Sequence, residues 1–271
     1  MPELPEVETT KNGIEPYLID SVVEKIVIRQ PNLRWPITPE LPENMEGQVI
    51  RSVSRRGKYI GIHTDNGTMM AHLGMSGSLY LVEQKTEALF HDHVDVVLST
   101  GQCLRYTDPR RFGSILWTEN DWMQHPLLNS LGPEPLTCAF NSDYLVAKAK
   151  MRKKPIKTFI MDSKIVVGVG NIYANEALFK SGIRPDRHAG RISERRLSLL
   201  VENIKIILRE AIEQGGTTLK DFVGGDGKPG YFKQSLSVYG RAGSACVNCQ
   251  KELTESRLGQ RSTVFCSYCQ K

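Results

Sequence analysis

The sequence predicts an α+β protein: an antiparallel β-sandwich preceded by a helix, then a helical domain, then a short cysteine hairpin. Three observations predict this order. Short β-rich segments fill the first half, helical periodicity fills much of the second half, and four cysteines cluster in the last 26 residues. With 271 residues, 40% of them hydrophobic and 24% charged, the chain can bury a core.

The first predicted element is a helix over residues 4–18, because Val7, Ile14 and Leu18 lie roughly on one face. β-rich segments follow, several with two-residue alternation, separated by turn signals such as Asp-Asn-Gly at 65–67. Many antiparallel strands after one helix indicate a sandwich-like or barrel-like domain. The predicted strand segments are VVEKIVIRQ, QVIRSVSRR, KYIGIHT, DHVDVVLS and QCLRY.

A domain boundary is predicted near residue 132, where the Pro- and Gly-marked segment LGPEPL precedes helical periodicity. The clearest helix covers 193–214, where one apolar stripe ends at two glycines. Residues 216–234 are rich in Gly and polar residues, which is typical of a linker and equally of a functional loop. Shorter helices are predicted at 143–150, 155–162 and 171–180.

Composition alone narrows the function only slightly. Thirty-five Lys and Arg against 30 acids give a net charge of +5, which is too small an excess to identify a polyanionic partner. No apolar run approaches the ~20 residues that cross a bilayer, and the acidic first ten residues lack the apolar region of a signal peptide. We therefore expect a cytosolic protein with no membrane partner.

The terminal cysteines have the spacing C-x2-C-x16-C-x2-C, which is within the range of zinc ribbons. Four thiolates suit tetrahedral zinc and leave no open position for substrate, so the predicted zinc ion is structural. A tail this short needs the metal for its stability. Free thiols or a redox pair are the alternative. The predicted ligands are Cys246, Cys249, Cys266 and Cys269.

The opening MPELPEVETT permits two interpretations, a solvated acidic tail or a catalytic terminus. Motifs along the whole chain resolve the question. In order they are MPELPEVET, SRRGKY, HLGMSGSL, HDHVD, YTDPRRFG, LGPEP, VVGVGNIYANE, GGTTLKDF and GQRSTVFC. Together they closely resemble the bacterial formamidopyrimidine-DNA glycosylase family. The sibling endonuclease VIII family usually opens with Met-Pro-Glu-Gly-Pro-Glu, so Leu4 favours the oxidised-purine branch.

The resemblance implies a catalytic role for the N-terminus. Removal of Met1 leaves Pro2 a secondary amine, and such an amine, with a pKa near 7.7–8.0, can attack the deoxyribose C1′ and form a cationic iminium. Glu3 would protonate the sugar oxygen as a general acid. Glu6 either raises the pKa of Glu3 or offsets the helix dipole.

For the later eliminations, the resemblance makes Lys58 a proton donor or phosphate ligand in β-elimination. It gives Arg261 a role in δ-elimination and phosphate binding. Without the resemblance, both would be interpreted as surface charges.

The same resemblance implies that Met75, Arg110 and Phe112 fill the space that a flipped nucleotide leaves in the duplex. Core packing is the alternative for Met75 and Phe112. Asn171, at a helix N-terminus, is expected on a DNA phosphate. The remaining implied phosphate contacts are His91, Arg152 and Lys157, whereas His72 and His93 are expected in structural hydrogen bonds.

The resemblance therefore implies a monomeric glycosylase and lyase that excises oxidised purines from double-stranded DNA, with one structural zinc and no redox or nucleotide cofactor. An endonuclease VIII-type enzyme for oxidised pyrimidines, and an inactive zinc-finger DNA-binding protein, remain the alternatives. The predicted domains are a catalytic β-sandwich at 1–132, a helix-two-turn-helix domain at 133–220, a base-recognition loop and linker at 221–236, and a zinc finger at 237–271.

Overall fold

The computed structural model describes residues 2–216 and 236–271. They form two compact units. The first unit contains residues 2–130 and 214–216, and the second contains 131–213 and 236–271. The predicted loop at 216–234 and the predicted linker at 221–236 lie outside the described residues, apart from Gly216 and Leu236.

The first unit begins with a helix and continues mostly as strands, as the sequence predicts. Its helices are α1 (Leu4–Leu18) and α2 (Leu41–Met45), with a 3-10 turn at Trp122–Gln124. Its strands are β1 (Val23–Ile28), β2 (Ser52–Arg56), β3 (Tyr59–His63), β4 (Thr68–His72), β5 (Ser78–Glu83), β6 (Asp92–Leu98), β7 (Gln102–Thr107) and β8 (Ser114–Thr118).

Two four-stranded antiparallel sheets make up the sandwich. One has the strand order β1-β6-β7-β5 and the other has the order β2-β3-β4-β8. Apolar side chains from both sheets and from the buried face of α1 share one core, which confirms the predicted sandwich. α1 is therefore held against the sandwich by Val7, Ile14 and Leu18.

Three strands, β4, β5 and β8, lie outside the predicted segments. β4 has the sequence TMMAH and is buried at four consecutive positions, so it shows no alternation of apolar and polar residues. A strand covered on both faces loses the period-two signal on which sequence interpretation depends. β4 pairs with β3 and β8 inside its sheet, which explains this burial.

The second unit contains four helices that agree with the predicted ones to within a few residues at their ends. They are α3 (Ser142–Ala149), α4 (Ile156–Ile160), α5 (Asn171–Lys180) and α6 (Glu194–Glu213), with a 3-10 turn at Ala189–Arg191. The strands β9 (Thr254–Leu258) and β10 (Arg261–Phe265) then pair antiparallel. Among the described residues, no helix combines the length and apolar character that a bilayer span requires.

Candidate active site and metal centre

The N-terminal pair of Pro2 and Glu3 is buried at the start of α1. Glu3 is the N-cap of this helix, and its side chain accepts the backbone N–H of Glu6. In return, Oε2 of Glu6 accepts the backbone N–H of Glu3 at 2.8 Å. This reciprocal capping box satisfies two helix N–H groups and holds the chain at residue 3 in one conformation. The opening segment is therefore ordered structure, not a solvated tail.

Glu6 thus caps the start of α1 through a hydrogen bond, which is separate from the two roles predicted for it, raising the pKa of Glu3 or offsetting the helix dipole. Gly216, with φ +80°, lies against it: a Cβ on Gly216 would stand 3.2 Å from Oε1 of Glu6. Leu4, which favours the purine branch, is fully buried. An apolar side chain therefore packs directly after Pro2 and Glu3.

Lys58 lies in the two-residue turn between β2 and β3, where Arg56 pairs with Tyr59. Arg55 lies on β2 just before this turn and forms an ion pair with Glu8 of α1. The helix that presents Pro2 and Glu3 is thereby tied to the hairpin that presents Lys58.

His72 neighbours the same hairpin. Burial, followed by the nearby charges of Lys58 and Arg34, lowers the pKa of His72 to about 4. Its ring lies 4.7 Å from the ring of Tyr59, and its Nδ1 accepts the backbone N–H of Gly74. His72 is thus neutral at pH 7 and has the structural hydrogen bond that the sequence predicts for it.

The three predicted space-filling residues lie on two turns of the first unit. Met75 is in the turn from β4 to β5, and Arg110 and Phe112 are in the turn from β7 to β8. The guanidinium carbon of Arg110 stands 4.9 Å from the centre of the Phe112 ring. Phe112 is 46% exposed and Met75 is half-buried, so neither is a fully buried core residue.

His91 and His93 stand at the start of β6 and differ in exposure. His93 is buried, and its Nε2 pairs with the backbone oxygen of Asp108 at 2.8 Å, which is the structural bond expected of it. His91 is half-buried beside the exposed ring of Phe90. It therefore has access to solvent, as a phosphate contact requires.

In the second unit, Asn171 is the first residue of α5, after Gly170 at the N-cap. Its buried Oδ1 has no hydrogen-bond partner among the residues that the structure describes. Arg152 is exposed in the loop after α3, and Gly190 packs against its backbone so closely that a Cβ there would lie 2.8 Å from the Arg152 nitrogen. The loop that carries Arg152 is therefore held in place.

Lys157 differs from the predicted solvent-facing phosphate contact. It is fully buried in α4, and its Nζ donates to the carbonyl of Ser262 at 2.8 Å and to Oγ1 of Thr263 at 2.7 Å. Burying an ammonium group is costly unless hydrogen bonds satisfy it. The ammonium of Lys157 is thus committed to the strand that Arg261 begins.

Arg261 is exposed at the first position of β10 and pairs with Leu258 across a tight turn. The two turn residues, Gly259 and Gln260, have φ of +56° and +62°. Positive φ at both central positions is typical of a type I′ hairpin turn, which fixes the register of its two strands. A Cβ on Gly259 would meet Thr158 of α4 at 3.0 Å, so the turn also needs glycine for space.

The four terminal cysteines converge on one point. Their Sγ atoms all lie within 4.8 Å of one another, with 3.5 Å between Cys249 and Cys266 and 4.0 Å between Cys246 and Cys269. A tetrahedron of thiolates around zinc at ~2.3 Å has S–S distances of about 3.8 Å, whereas a disulfide bond is about 2.05 Å long. The cluster therefore fits a metal ion with four thiolate ligands and is not a pair of disulfides.

Two residues of α5, for which the sequence predicted no role, bond the cysteine hairpin and the segment before it. The cysteine hairpin is defined as residues 246–271. The carboxylate of Glu176 accepts the backbone N–H groups of residues 237–239 at 2.8–2.9 Å. Oδ1 of Asn175 accepts the N–H of Val264 at 3.3 Å. Asn175 and Glu176 are both buried in the middle of α5. In the sequence, the signal was two adjacent polar residues within the predicted helix, in the motif NIYANE.

Comparisons with known proteins cover nearly all of the chain. Residues 1–115 match the model of the formamidopyrimidine-DNA glycosylase N-terminal domain, and residues 131–223 match the formamidopyrimidine-DNA glycosylase H2TH domain. The formamidopyrimidine-DNA glycosylase of Marinomonas sp. (strain MWYL1) is 67% identical over 271 residues, which is 100% of both chains.

Solved structures agree with these matches. A complex of the Lactococcus lactis Fpg with DNA containing an abasic site is 30% identical, covers 99% of each chain and has a TM-score of 0.92. A structure of MutM with DNA containing carbocyclic 8-oxo-G is 31% identical, covers 100% of each chain and has a TM-score of 0.92.

Proposed function

The chain belongs to the formamidopyrimidine-DNA glycosylase family, and from this premise we propose how its own residues excise an oxidised purine and then cleave the strand. It is a DNA glycosylase and abasic-site lyase of base excision repair. The observation that carries the assignment of its chemistry is the buried pair of Pro2 and Glu3, held by the capping box at the start of α1.

In the first step, the secondary amine of Pro2 attacks C1′ of the damaged nucleotide, and the bond from C1′ to the base breaks. Glu3 protonates the sugar ring oxygen as the ring opens, which leaves a cationic iminium on Pro2. Because Glu3 is fixed by the backbone of its own helix, its carboxyl group is oriented without help from the substrate.

The iminium is an electron sink, so loss of a proton from the sugar expels the 3′ phosphate in β-elimination. Lys58, at its hairpin turn, exchanges the proton or binds the phosphate. Arg261 binds the phosphate of the second, δ-elimination, and its rigid type I′ turn supports this role by limiting the positions of the guanidinium.

DNA binding uses contacts that carry no sequence information. Asn171 fits this role because its amide N–H₂ can donate to a phosphate oxygen and it lies at the N-terminus of α5, where backbone N–H groups also favour an anion. Arg152 and His91 extend the phosphate contacts from exposed loop positions. Lys157 contributes to DNA binding indirectly. Its ammonium group donates hydrogen bonds to β10, the strand that begins at Arg261, and so supports Arg261.

The four cysteines Cys246, Cys249, Cys266 and Cys269 would hold a zinc ion. Bound there, zinc would supply structural cross-linking and no Lewis-acid chemistry, because four thiolate ligands leave no open position. The distances between the thiols support this assignment.

The function also suggests the organisation of the whole protein. We assign catalysis to residues 1–132, DNA binding to 133–220 and to the zinc finger at 237–271, and lesion recognition to 221–236, which lies almost entirely outside the described residues. The protein acts as a monomer on duplex DNA in the bacterial cytoplasm, where its substrate is.

The test is borohydride trapping on a duplex that carries 8-oxoguanine opposite cytosine. Wild-type protein whose intact mass shows loss of Met1 should form a covalent crosslink, because borohydride reduces the iminium. The same protein with an uncleaved N-terminal extension should bind the duplex but form no crosslink, since only the amine of Pro2 is blocked.

Pro5→Ala is the matched control, because it changes a buried proline three residues away and leaves the terminal amine intact. It should crosslink like the wild type. A crosslink that persists in the extended protein, or none in the processed wild type, would rule out Pro2 as the nucleophile.

A further inference from the structure

One fully buried carboxyl group, that of Asp108, joins the two turns that carry the space-filling side chains. Its Oδ1 accepts the hydroxyl of Ser76 at 2.8 Å and the backbone N–H of Arg110 at 3.3 Å. Its Oδ2 accepts the backbone N–H of Gly113 at 2.8 Å and the hydroxyl of Tyr106 at 3.1 Å. Three donors from two separate turns and one from β7 therefore meet on one side chain.

The donors belong to residues that flank the functional side chains. Ser76 directly follows Met75, while Arg110 and Gly113 enclose the second turn on both sides of Phe112. Asp108 thus restrains the backbone next to all three space-filling residues without touching their exposed tips.

The two turns also approach each other too closely for any side chain to stand between them. A Cβ on Gly74 would lie 2.4 Å from the nitrogen of Gly113 and 2.5 Å from the carbonyl carbon of Phe112. A Cβ on Gly113 would lie 1.8 Å from the hydroxyl of Tyr106. Since these distances are shorter than any real contact, the turns are held backbone to backbone, and a shift of one moves the other.

The main chain of Asp108 extends the same connection to β6. Its N–H donates to the carbonyl of His91 at 3.1 Å, and its carbonyl oxygen pairs with Nε2 of His93 at 2.8 Å. A proposed phosphate contact and the space-filling turns therefore share one buried residue.

We propose that Asp108 is a positioning residue that makes Met75, Arg110 and Phe112 enter the DNA stack as one rigid group. The inference rests on the proposed function, because it presumes that these three side chains fill the space of the extruded base. Wedging side chains into a duplex requires energy to unstack bases. A turn that changes conformation when it meets the base stack would raise the barrier to extrusion of the base. Two turns bonded to one carboxyl group keep their conformation.

The experiment compares two substrates under single-turnover conditions. With 8-oxoguanine opposite cytosine the enzyme has to unpair and extrude a base, whereas with a preformed abasic site no base is left to extrude. In Asp108→Asn the amide offers one acceptor oxygen to four donors and turns an N–H₂ group towards the others. We expect excision of 8-oxoguanine to slow on the order of 10- to 100-fold, and cleavage of the abasic site by less than about threefold.

A fluorescent 2-aminopurine placed beside the lesion gives a second readout. Its signal rises when the neighbouring base unstacks, so the rise should be slower in Asp108→Asn than in the wild type. A residue with a purely structural role would not change this step selectively.

Asp95→Asn is the matched control. Asp95 is a buried carboxyl group of β6, the strand that pairs with β7, and it is 3% exposed; it bonds Arg105 and Arg29 and neither of the two turns. Any loss it causes should affect both substrates by the same factor.

Two milder variants carry the test if Asp108→Asn does not fold. Ser76→Ala and Tyr106→Phe each remove one hydroxyl donor and keep the carboxyl group, and each should slow excision selectively by a smaller factor. Equal slowing on both substrates, or unchanged excision in folded Asp108→Asn, overturns the inference. Wild-type protein that fails to excise 8-oxoguanine would instead refute the proposed function.

Discussion

The N-terminal helix and the cysteine hairpin each present a proposed catalytic residue, but they are stabilised differently. α1 buries Leu4, Val7, Ile14 and Leu18, and most of these side chains join a core shared by two sheets. The hairpin with Arg261 packs in a small cluster of six buried residues, two of which are cysteines of the proposed zinc site. Apolar burial scales with the area removed from water, so the hairpin has to obtain its stability from elsewhere.

Polar contacts supply part of the stability that the hairpin does not obtain from apolar burial. Lys157 donates to two oxygens of β10 and Asn175 accepts the N–H of Val264, while Glu176 accepts three consecutive backbone N–H groups of the segment before the hairpin. Directed bonds of this kind hold a small element in one orientation, whereas a large core holds its elements through many unspecific contacts. The comparison therefore predicts that the two regions respond to different perturbations.

The largest expected effect comes from loss of the metal, because the cysteine cluster belongs to the hairpin and not to α1. Cys266→Ser should release the zinc, whose binding to such sites is worth on the order of 10 kcal/mol, and the hairpin should unfold. Hydrogen exchange should rise throughout residues 246–271 and remain unchanged in α1, and DNA affinity should fall with it.

Cys138→Ser is the control, because Cys138 is an exposed cysteine of the same unit outside the cluster. It should retain metal and exchange protection. A hairpin that stays protected after confirmed loss of zinc would contradict the contrast drawn between the two regions.

A smaller effect, confined to the first unit, concerns pH. Burial and then Lys58 and Arg34 lower the pKa of His72 from 6.5 to about 4. The unfolded chain then binds a proton more readily than the folded unit, so stability falls as pH decreases from 6.5 towards 4, by up to about 3 kcal/mol.

His72→Asn keeps an acceptor for the N–H of Gly74 and removes the titrating ring, so its unfolding free energy should depend less on pH across this window. Denaturant unfolding at several pH values measures the difference between variant and wild type, in which the contributions of other histidines cancel. Parallel pH profiles would show that His72 is not the source.

The smallest of the three effects concerns the polar connection of the hairpin. Lys157→Met retains the apolar stem but leaves the Ser262 carbonyl and the Thr263 hydroxyl without their ammonium donor, which should destabilise the hairpin by about 2 kcal/mol. Zinc should remain bound while δ-elimination slows, because Arg261 loses support.

Lys153→Met removes an exposed lysine of the same basic segment and serves as the control. A simple loss of phosphate attraction would make the two variants equally sensitive to salt. Selective slowing of δ-elimination in Lys157→Met alone would show that the buried ammonium acts through β10.

Elements with strong periodicity were predictable from the sequence. The helices α1 and α5 have the predicted bounds, and α6 lies within the predicted range to one residue at each end. β4, β5 and β8 were not predicted, because strands buried on both faces or short of alternation give no period-two pattern. The burial of Lys157 was not predicted, since a lysine in a basic run gives no local indication that it will be buried.

The amino-acid sequence by itself determined the family, the order of the elements, the four metal-binding thiols and the residues that the proposed chemistry requires, because these depend on residue identity and spacing along the chain. Only the tertiary structure decided what holds them. Lys157 and Asn175 bond the cysteine hairpin, Glu176 bonds the segment before it, and Asp108 joins two turns about 30 residues apart. Such bonds form between residues distant in sequence, and their donors and acceptors become partners only when the folded core brings them together.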